Sequence, residues 1–240
     1  MSAPFLRHSL FGGFVFLSSC FSVSAARSEQ TFYDSPSYLP YCIIIDKADR
    51  ELYFFECDGM EHLQNLIYKS PIVIGGRNKD YRTGKKRNFE TPVGNFQIQA
   101  YVKDAKWFPP KWAKEHRVNE RGEIIGVGGV FGPMWMPLTS YGTPLDPSFS
   151  FNPEGYGGLA LHGTRDQRQF LKRFSRQSHG CIRLPDGALS FLESFFKKYL
   201  VLSSPEQIPK GEKVVFSRGA IPVSIRHSFS LERVLSSATP

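Results

Sequence analysis

Cys181 stands in Ser178-His179-Gly180-Cys181-Ile182-Arg183-Leu184, with a histidine two positions before it and an arginine two positions after. A second histidine lies upstream in Leu159-Ala160-Leu161-His162-Gly163-Thr164. A thiol attacks carbon as its thiolate, so it needs a base, and the base needs a third group to hold its ring. An imidazole beside the thiol is expected to lower its pKa from about 8.5 into a range of about 3.5–7.5. The chemistry open to such a set is acyl transfer. Backbone N–H groups around Gly180-Cys181, where glycine lets the chain approach closely, would receive the oxyanion. Nearness suggests His179 as the base, but residues two apart on an extended strand point the same way without having to touch. Other uses stand beside this one. Cys181 could be a buried structural cysteine, and His179 a structural hydrogen-bonder. A zinc set of His162, His179 and Cys181 is weaker, since the remaining cysteines and histidines show no close pair at metal spacing. No metal or cofactor is therefore expected.

The stretch His162-Gly163-Thr164 followed by Ser178-His179-Gly180-Cys181-Ile182-Arg183 resembles the signature of the L,D-transpeptidase catalytic domain family. The resemblance takes in Thr91-Pro92-Val93-Gly94-Asn95-Phe96, Gly132-Pro133-Met134-Trp135-Met136 and the run from Ile208 to Phe216. It covers roughly residues 41–216. It implies a mainly-β fold, the mixed β-sandwich of that family, with a few short helices and the catalytic cysteine in a cleft. It implies that Cys181 is the nucleophile and that His162 is the base, oriented by the backbone carbonyl of Gly163. His179 then binds substrate or stabilises charge, with Ser178 and Gly180 on the substrate and oxyanion side. Arg183 would hold a substrate carboxylate through a two-pronged hydrogen bond, the alternative being a surface ion pair with Asp186. The implied substrates are peptidoglycan stem peptides, with a wall-anchored protein as a further acceptor. Hydrolysis of the same acyl-enzyme, or a cell-wall-binding module without catalysis, are the competing readings.

Several elements must position these groups. Residues 41–45 and 52–55 are rich in β-branched and aromatic side chains around a polar turn, which predicts a hairpin. A turn centred between Asp49 and Arg50 would set Cys42 opposite Cys57, close enough for a disulfide in an oxidising compartment. Short strands follow at 66–68 and 72–74, closed by Gly75-Gly76. Thr91-Pro92-Val93-Gly94 reads as a turn into a strand over 95–101, its proline and glycine accounted for by turn geometry. The segment 103–119, with Trp107, Trp112 and His116, reads as a loop or lid. Met134-Trp135-Met136 reads as a core strand, and residues 144–158 as a loop. Leu159-Ala160-Leu161 reads as a short strand ending at His162. Residues 166–174 predict one or two helical turns with Phe170, Leu171 and Phe174 inward. Asp186 can cap a helix over 187–200 with an apolar stripe. Residues 217–240 read as a C-terminal tail.

The chain has 240 residues, enough for one or two domains with a sizeable core. Its first 26 residues read as an export signal: Arg7 and His8, an apolar run from Leu10 to Val23, then Val23-Ser24-Ala25 before a cut. Leu17-Ser18-Ser19-Cys20 resembles a lipoprotein cleavage box, so a lipid on Cys20 is the other exit. Membrane contact is otherwise not expected, and the expected location is periplasmic or wall-facing. Residues 27–40 read as a tether. Removing residues 1–26 takes away only Arg7 among the charged side chains, so the net charge falls from +8 to +7. That balance suits a polyanionic partner. Nucleic acid is disfavoured, because the basic stretch 77–87 offers only Tyr81 for base stacking.

Overall fold

The computed structural model describes residues 38–79, 86–109, 111, 115–142, 158–171, 178–199 and 213–232. The export segment, Cys20, residues 27–37, Tyr81, Trp112, most of the loop at 144–158, Phe174, Leu200 and residues 233–240 lie outside the described residues. Strands β1 (Tyr41–Asp46), β2 (Glu51–Asp58) and β3 (His62–Pro71) form a meander. β4 (Arg77–Lys79) and β5 (Lys86–Asn88) pair as a separate ribbon. Then come β6 (Gly94–Ile98), β7 (Ala100–Lys103), β8 (Met134–Pro137), β9 (Thr139–Ser140), β10 (Ala160–His162) and β11 (Ile182–Arg183). Helix α1 (Asp186–Tyr199), β12 (Lys213–Val215) and β13 (Ile221–Arg226) complete the order. The strands build a six-stranded sheet, β3-β2-β1-β13-β6-β9, and a five-stranded sheet, β11-β10-β8-β7-β12. The protein is mainly β, with two mixed sheets and one α-helix among the described residues.

One buried cluster joins Ile43, Ile45, Leu52 and Phe54 of the first sheet to Met134, Met136, Leu161 and Ile182 of the second. Helix α1 closes it with Ala188, Leu189, Leu192, Phe195 and Phe196, a spacing that keeps one face of a 3.6-residue helix inward. The opposite face of β1 and β2 is also covered, with Cys42, Ile44, Tyr53, Phe55 and Cys57 beneath Phe229 and Leu231. Strands buried on both faces need no polar alternation, which accounts for the continuous apolar runs at 42–45 and 52–55.

The hairpin register differs from the expected one. Asp46 pairs with Glu51 and Cys42 with Phe55, so Cys57 is Cys42's diagonal neighbour and both thiols are free. The turn is responsible. Asp46 Oδ1 accepts the N–H groups of Ala48 and Asp49, fixing an aspartate-led turn one residue earlier than sequence symmetry suggested, with Arg50 at φ 56°.

Residues 217–226 are not a tail. β13 lies between β1, to which it is parallel, and β6, to which it is antiparallel, and Val223 and Ile225 enter the main core. Pro222, which cannot donate to a ladder, and the small polar residues near the end of the chain disguised the strand. A chain ending at Phe216 would leave β1 and β6 each with one edge unpaired at the centre of the sheet. It is expected to show no cooperative urea transition, where the full chain unfolds in one; a retained transition would show that β13 is dispensable.

Candidate active site

Strand β3 leaves the first sheet after Pro71, and the chain then runs along the edge of the second. Val73 exchanges two backbone hydrogen bonds with Arg183, at 3.0 and 2.8 Å, and the Ser178 N–H donates to the Ile74 carbonyl at 3.0 Å. The catalytic-type turn is thus clamped between β10 on one side and residues 73–75 on the other. In the parallel β10–β11 pair, Leu161 faces Ile182 and His162 faces Arg183. Paired residues share a face, and residues two apart share it as well. Leu161 and Ile182 therefore enter the core, while Cys181, Arg183 and His162 project together to the other side. Trp135, the partner of His162 in β8, lies on that side too. Cys181 packs there against the cluster of Val102, Ala105, Trp135 and Ala160 and keeps part of its surface open.

His162 is buried, and its Nδ1 lies 2.5 Å from the carbonyl oxygen of Gly163. A carbonyl only accepts, so Nδ1 carries the hydrogen and Nε2 presents a lone pair. Phe131 meets the ring edge-on, with centroids 5.0 Å apart. Gly163 has no room for a side chain, because a Cβ would stand 2.6 Å from Leu189 Cδ1 and 3.0 Å from Gly132 Cα. Gly132, at φ +67°, is the other half of that backbone contact.

Burial sets the electrostatics. It lowers the His162 pKa from 6.5 to about 4, with the Gly163 hydrogen bond opposing and the Arg183 charge adding to the fall. Burial also raises the Cys181 pKa above its ordinary 9.0, against the pull of the Ala160 backbone hydrogen bond and the Arg183 guanidinium. The resting pair is consequently neutral thiol and neutral imidazole. This corrects the expectation that the imidazole would depress the thiol, since desolvation disfavours every charged form and outweighs the neighbours. The Arg183 charge favours loss of a proton from both partners, toward the thiolate of Cys181 and the neutral imidazole of His162. The rate of Cys181 alkylation by iodoacetamide should therefore rise with pH through a midpoint above 9, because the thiol must lose its proton first. A midpoint between 3.5 and 7.5 would instead reveal a resting thiolate–imidazolium pair.

His179 sits off the strands, edge-on to Phe89 at 4.5 Å between centroids. Ser178 is buried and ties the turn to itself: its Oγ accepts the Gly180 N–H at 3.1 Å and donates to the Cys181 carbonyl. Gly180 has φ +112°, a conformation that suits glycine. Arg183 Nη1 donates to Gln169 Oε1 at 3.0 Å, and Gln169 Nε2 donates to the Asp166 carbonyl at 2.7 Å. Asp186 Oδ1 accepts from Gln167 Nε2 at 3.0 Å. The segment at 166–171 is a single 3-10 turn, Gln167–Phe170, and the residue it buries is Gln169. Leu171 is 84% exposed and Phe170 only half-buried, which corrects the expected inward pair. A tighter turn shifts the inward position, and the polar Gln169 takes it to meet Arg183. The helix begins at Asp186, with the Pro185 carbonyl accepting its first two N–H bonds. No group of three or more potential metal ligands occurs among the described residues.

Thr91, Gly75, Phe131, Gly132 and Gln169 also build the site, and the sequence reading gave none of them a role in it. Only the glycines carried a local signal, as punctuation in an apolar context.

The model of the L,D-transpeptidase catalytic domain (YkuD) matches residues 40–214. Among solved structures, the chain is similar to the Ldtfm avibactam carbamoyl enzyme at 19% identity, over 80% of this chain and 50% of that one, with a TM-score of 0.40. It is similar to Bd1075 of Bdellovibrio bacteriovorus at 19% identity, over 83% and 53%, with a TM-score of 0.38. An L,D-transpeptidase from Mycobacterium smegmatis follows at 14% identity, over 78% and 58%, with a TM-score of 0.37. The chain thus spans between half and three-fifths of the length of these three. No curated protein matches it. With the domain model matched over well beyond half of its length, the chain belongs to the L,D-transpeptidase catalytic domain family.

Proposed function

We propose that the protein is an exported peptidoglycan L,D-transpeptidase. Cys181 Sγ attacks the carbonyl carbon of the L-centred residue before a terminal D-alanine in a stem tetrapeptide. The amide bond breaks, D-alanine leaves with a proton on its nitrogen, and a thioester remains on Cys181. An amine of a neighbouring stem, or of a wall-anchored protein, then attacks the thioester, forms the new amide and returns the thiol. His162 Nε2 takes the thiol proton during attack and passes it to the leaving nitrogen. Arg183 and His179 hold the donor.

The observation that carries this reading is the shared face of β10 and β11. It sets a half-open thiol, a buried imidazole with a fixed tautomer and a guanidinium side by side. The neutral imidazole suits a base that acts as the thiol attacks rather than before. Purified tetrapeptide muropeptides incubated with the protein should lose D-alanine and yield a crosslinked dimer, read by mass spectrometry. Tripeptide without dimer would mean that water resolves the acyl-enzyme; no D-alanine release and no adduct on Cys181 would defeat the proposal. Export and removal of the leader, after Ala25 or Ala26 rather than by lipidation of Cys20, belong to the same reading. The intact mass of the mature protein separates the two cuts.

A further inference from the structure

Thr91 lies outside the Cys–His–Arg set, yet it is fully buried against the turn that carries Cys181. Its Oγ1 accepts the Gly75 N–H at 2.8 Å and contacts the Gly180 carbonyl at 2.7 Å. Gly75 can only donate and the Gly180 carbonyl can only accept, so the single hydroxyl hydrogen must point at Gly180. The fit around this hydroxyl is tight. A Cβ on Gly75 would stand 1.9 Å from the Phe89 carbonyl oxygen and 2.6 Å from the Gly180 nitrogen. Gly180 itself, at φ +112°, has no side chain to restrict rotation of its peptide.

We propose that Thr91 is a positioning residue that aims the Cys181 N–H as the oxyanion donor of the acyl-transfer step. The inference rests on the acyl-transfer reading. In a trans peptide the carbonyl and the next N–H point in opposite directions. Holding the Gly180 carbonyl inward on Thr91 therefore turns the Cys181 N–H away from Thr91 and the buried side of the turn. The adjacent N–H, that of Gly180, is engaged by Ser178 Oγ. The Thr91 hydroxyl thus governs where the Cys181 donor points, across a sequence separation of 89 residues.

Two reactions of the same thiol separate this role from a merely structural one. Acylation by imipenem, a cyclic amide, builds an oxyanion; alkylation by iodoacetamide does not. Thr91→Val keeps the shape and removes the hydroxyl. Its imipenem acylation rate should fall about 10- to 10²-fold, less than complete loss of an oxyanion donor costs. Alkylation at Cys181, read from the mass of its peptide, should stay within about twofold of wild type. Thr91→Ser should restore acylation, and Thr91→Ala should repeat the split if the valine variant does not fold. Acylation at the wild-type rate in Thr91→Val overturns the inference alone, as does an equal fall in both reactions that serine does not repair. A wild-type protein that alkylates but never acylates overturns the acyl-transfer reading along with it.

Discussion

Cys181→Ala protein keeps its unmodified mass after incubation with imipenem or with tetrapeptide muropeptides, and it releases no D-alanine. The expectation follows from the mechanism, because neither of the other two thiols among the described residues is placed to take the acyl group. Cys42 and Cys57 are buried in a separate cluster on the far face of the first sheet. The variant should also remain folded. Cys181 is only half-buried, and its loss removes one sulfur from the edge of a small cluster while the main core stays whole. Thermal denaturation of the variant alongside wild type checks that half of the claim. Cys181→Ser is a sharper control, since a hydroxyl ionises far less readily than a thiol and the neutral His162 cannot compensate fully. A covalent adduct on Cys181→Ala, located by peptide mass, would show that the nucleophile lies elsewhere.

His162→Ala is expected to slow imipenem acylation by about 10²–10⁴-fold, the usual contribution of a general base. His162 is the histidine with the geometry for the task. It shares a face with Cys181, its Nδ1–H is spent on Gly163, and Phe131 fixes its ring plane. His179→Ala should cost less in the chemical step and more in donor affinity, so the loss should fall mainly on KM. A wild-type acylation rate in His162→Ala together with a large loss in His179→Ala would exchange the two roles. Acidity supplies a second readout of the same residue. The unfolded chain binds a proton at His162 below pH 6.5, the folded chain only below about 4. Stability from this group is present above 6.5 and is lost as pH falls toward 4, up to about 3 kcal/mol. Urea midpoints of His162→Gln should therefore fall less steeply than those of wild type across that window.

The local sequence was enough for whatever depends on neighbours along the chain. The apolar runs of β1 and β2, the stripe of α1 and the strand that ends at His162 follow from short-range periodicity and burial. The Cys, His and Arg of the candidate site stood out because they travel with a compact motif. Other features were decided only when distant segments met. Thr91 looked like part of a turn, because its hydroxyl finds Gly75 and Gly180 only after two loops close on each other. Gln169 looked like one more polar residue between Arg168 and Phe170 until Arg183 gave it a buried partner. β13 carries a proline at its second position, and became a central strand because β1 and β6 offered it two ladders at once. The pairing of Cys42 turned on where Asp46 began its turn, one hydrogen-bonding choice that moved every opposed pair in the hairpin. The charge states of Cys181 and His162 belong to the same class. Residue type and spacing indicate a thiol pushed down by an imidazole, but desolvation depends on how completely folding closes over both groups, and that closure raised one pKa and lowered the other.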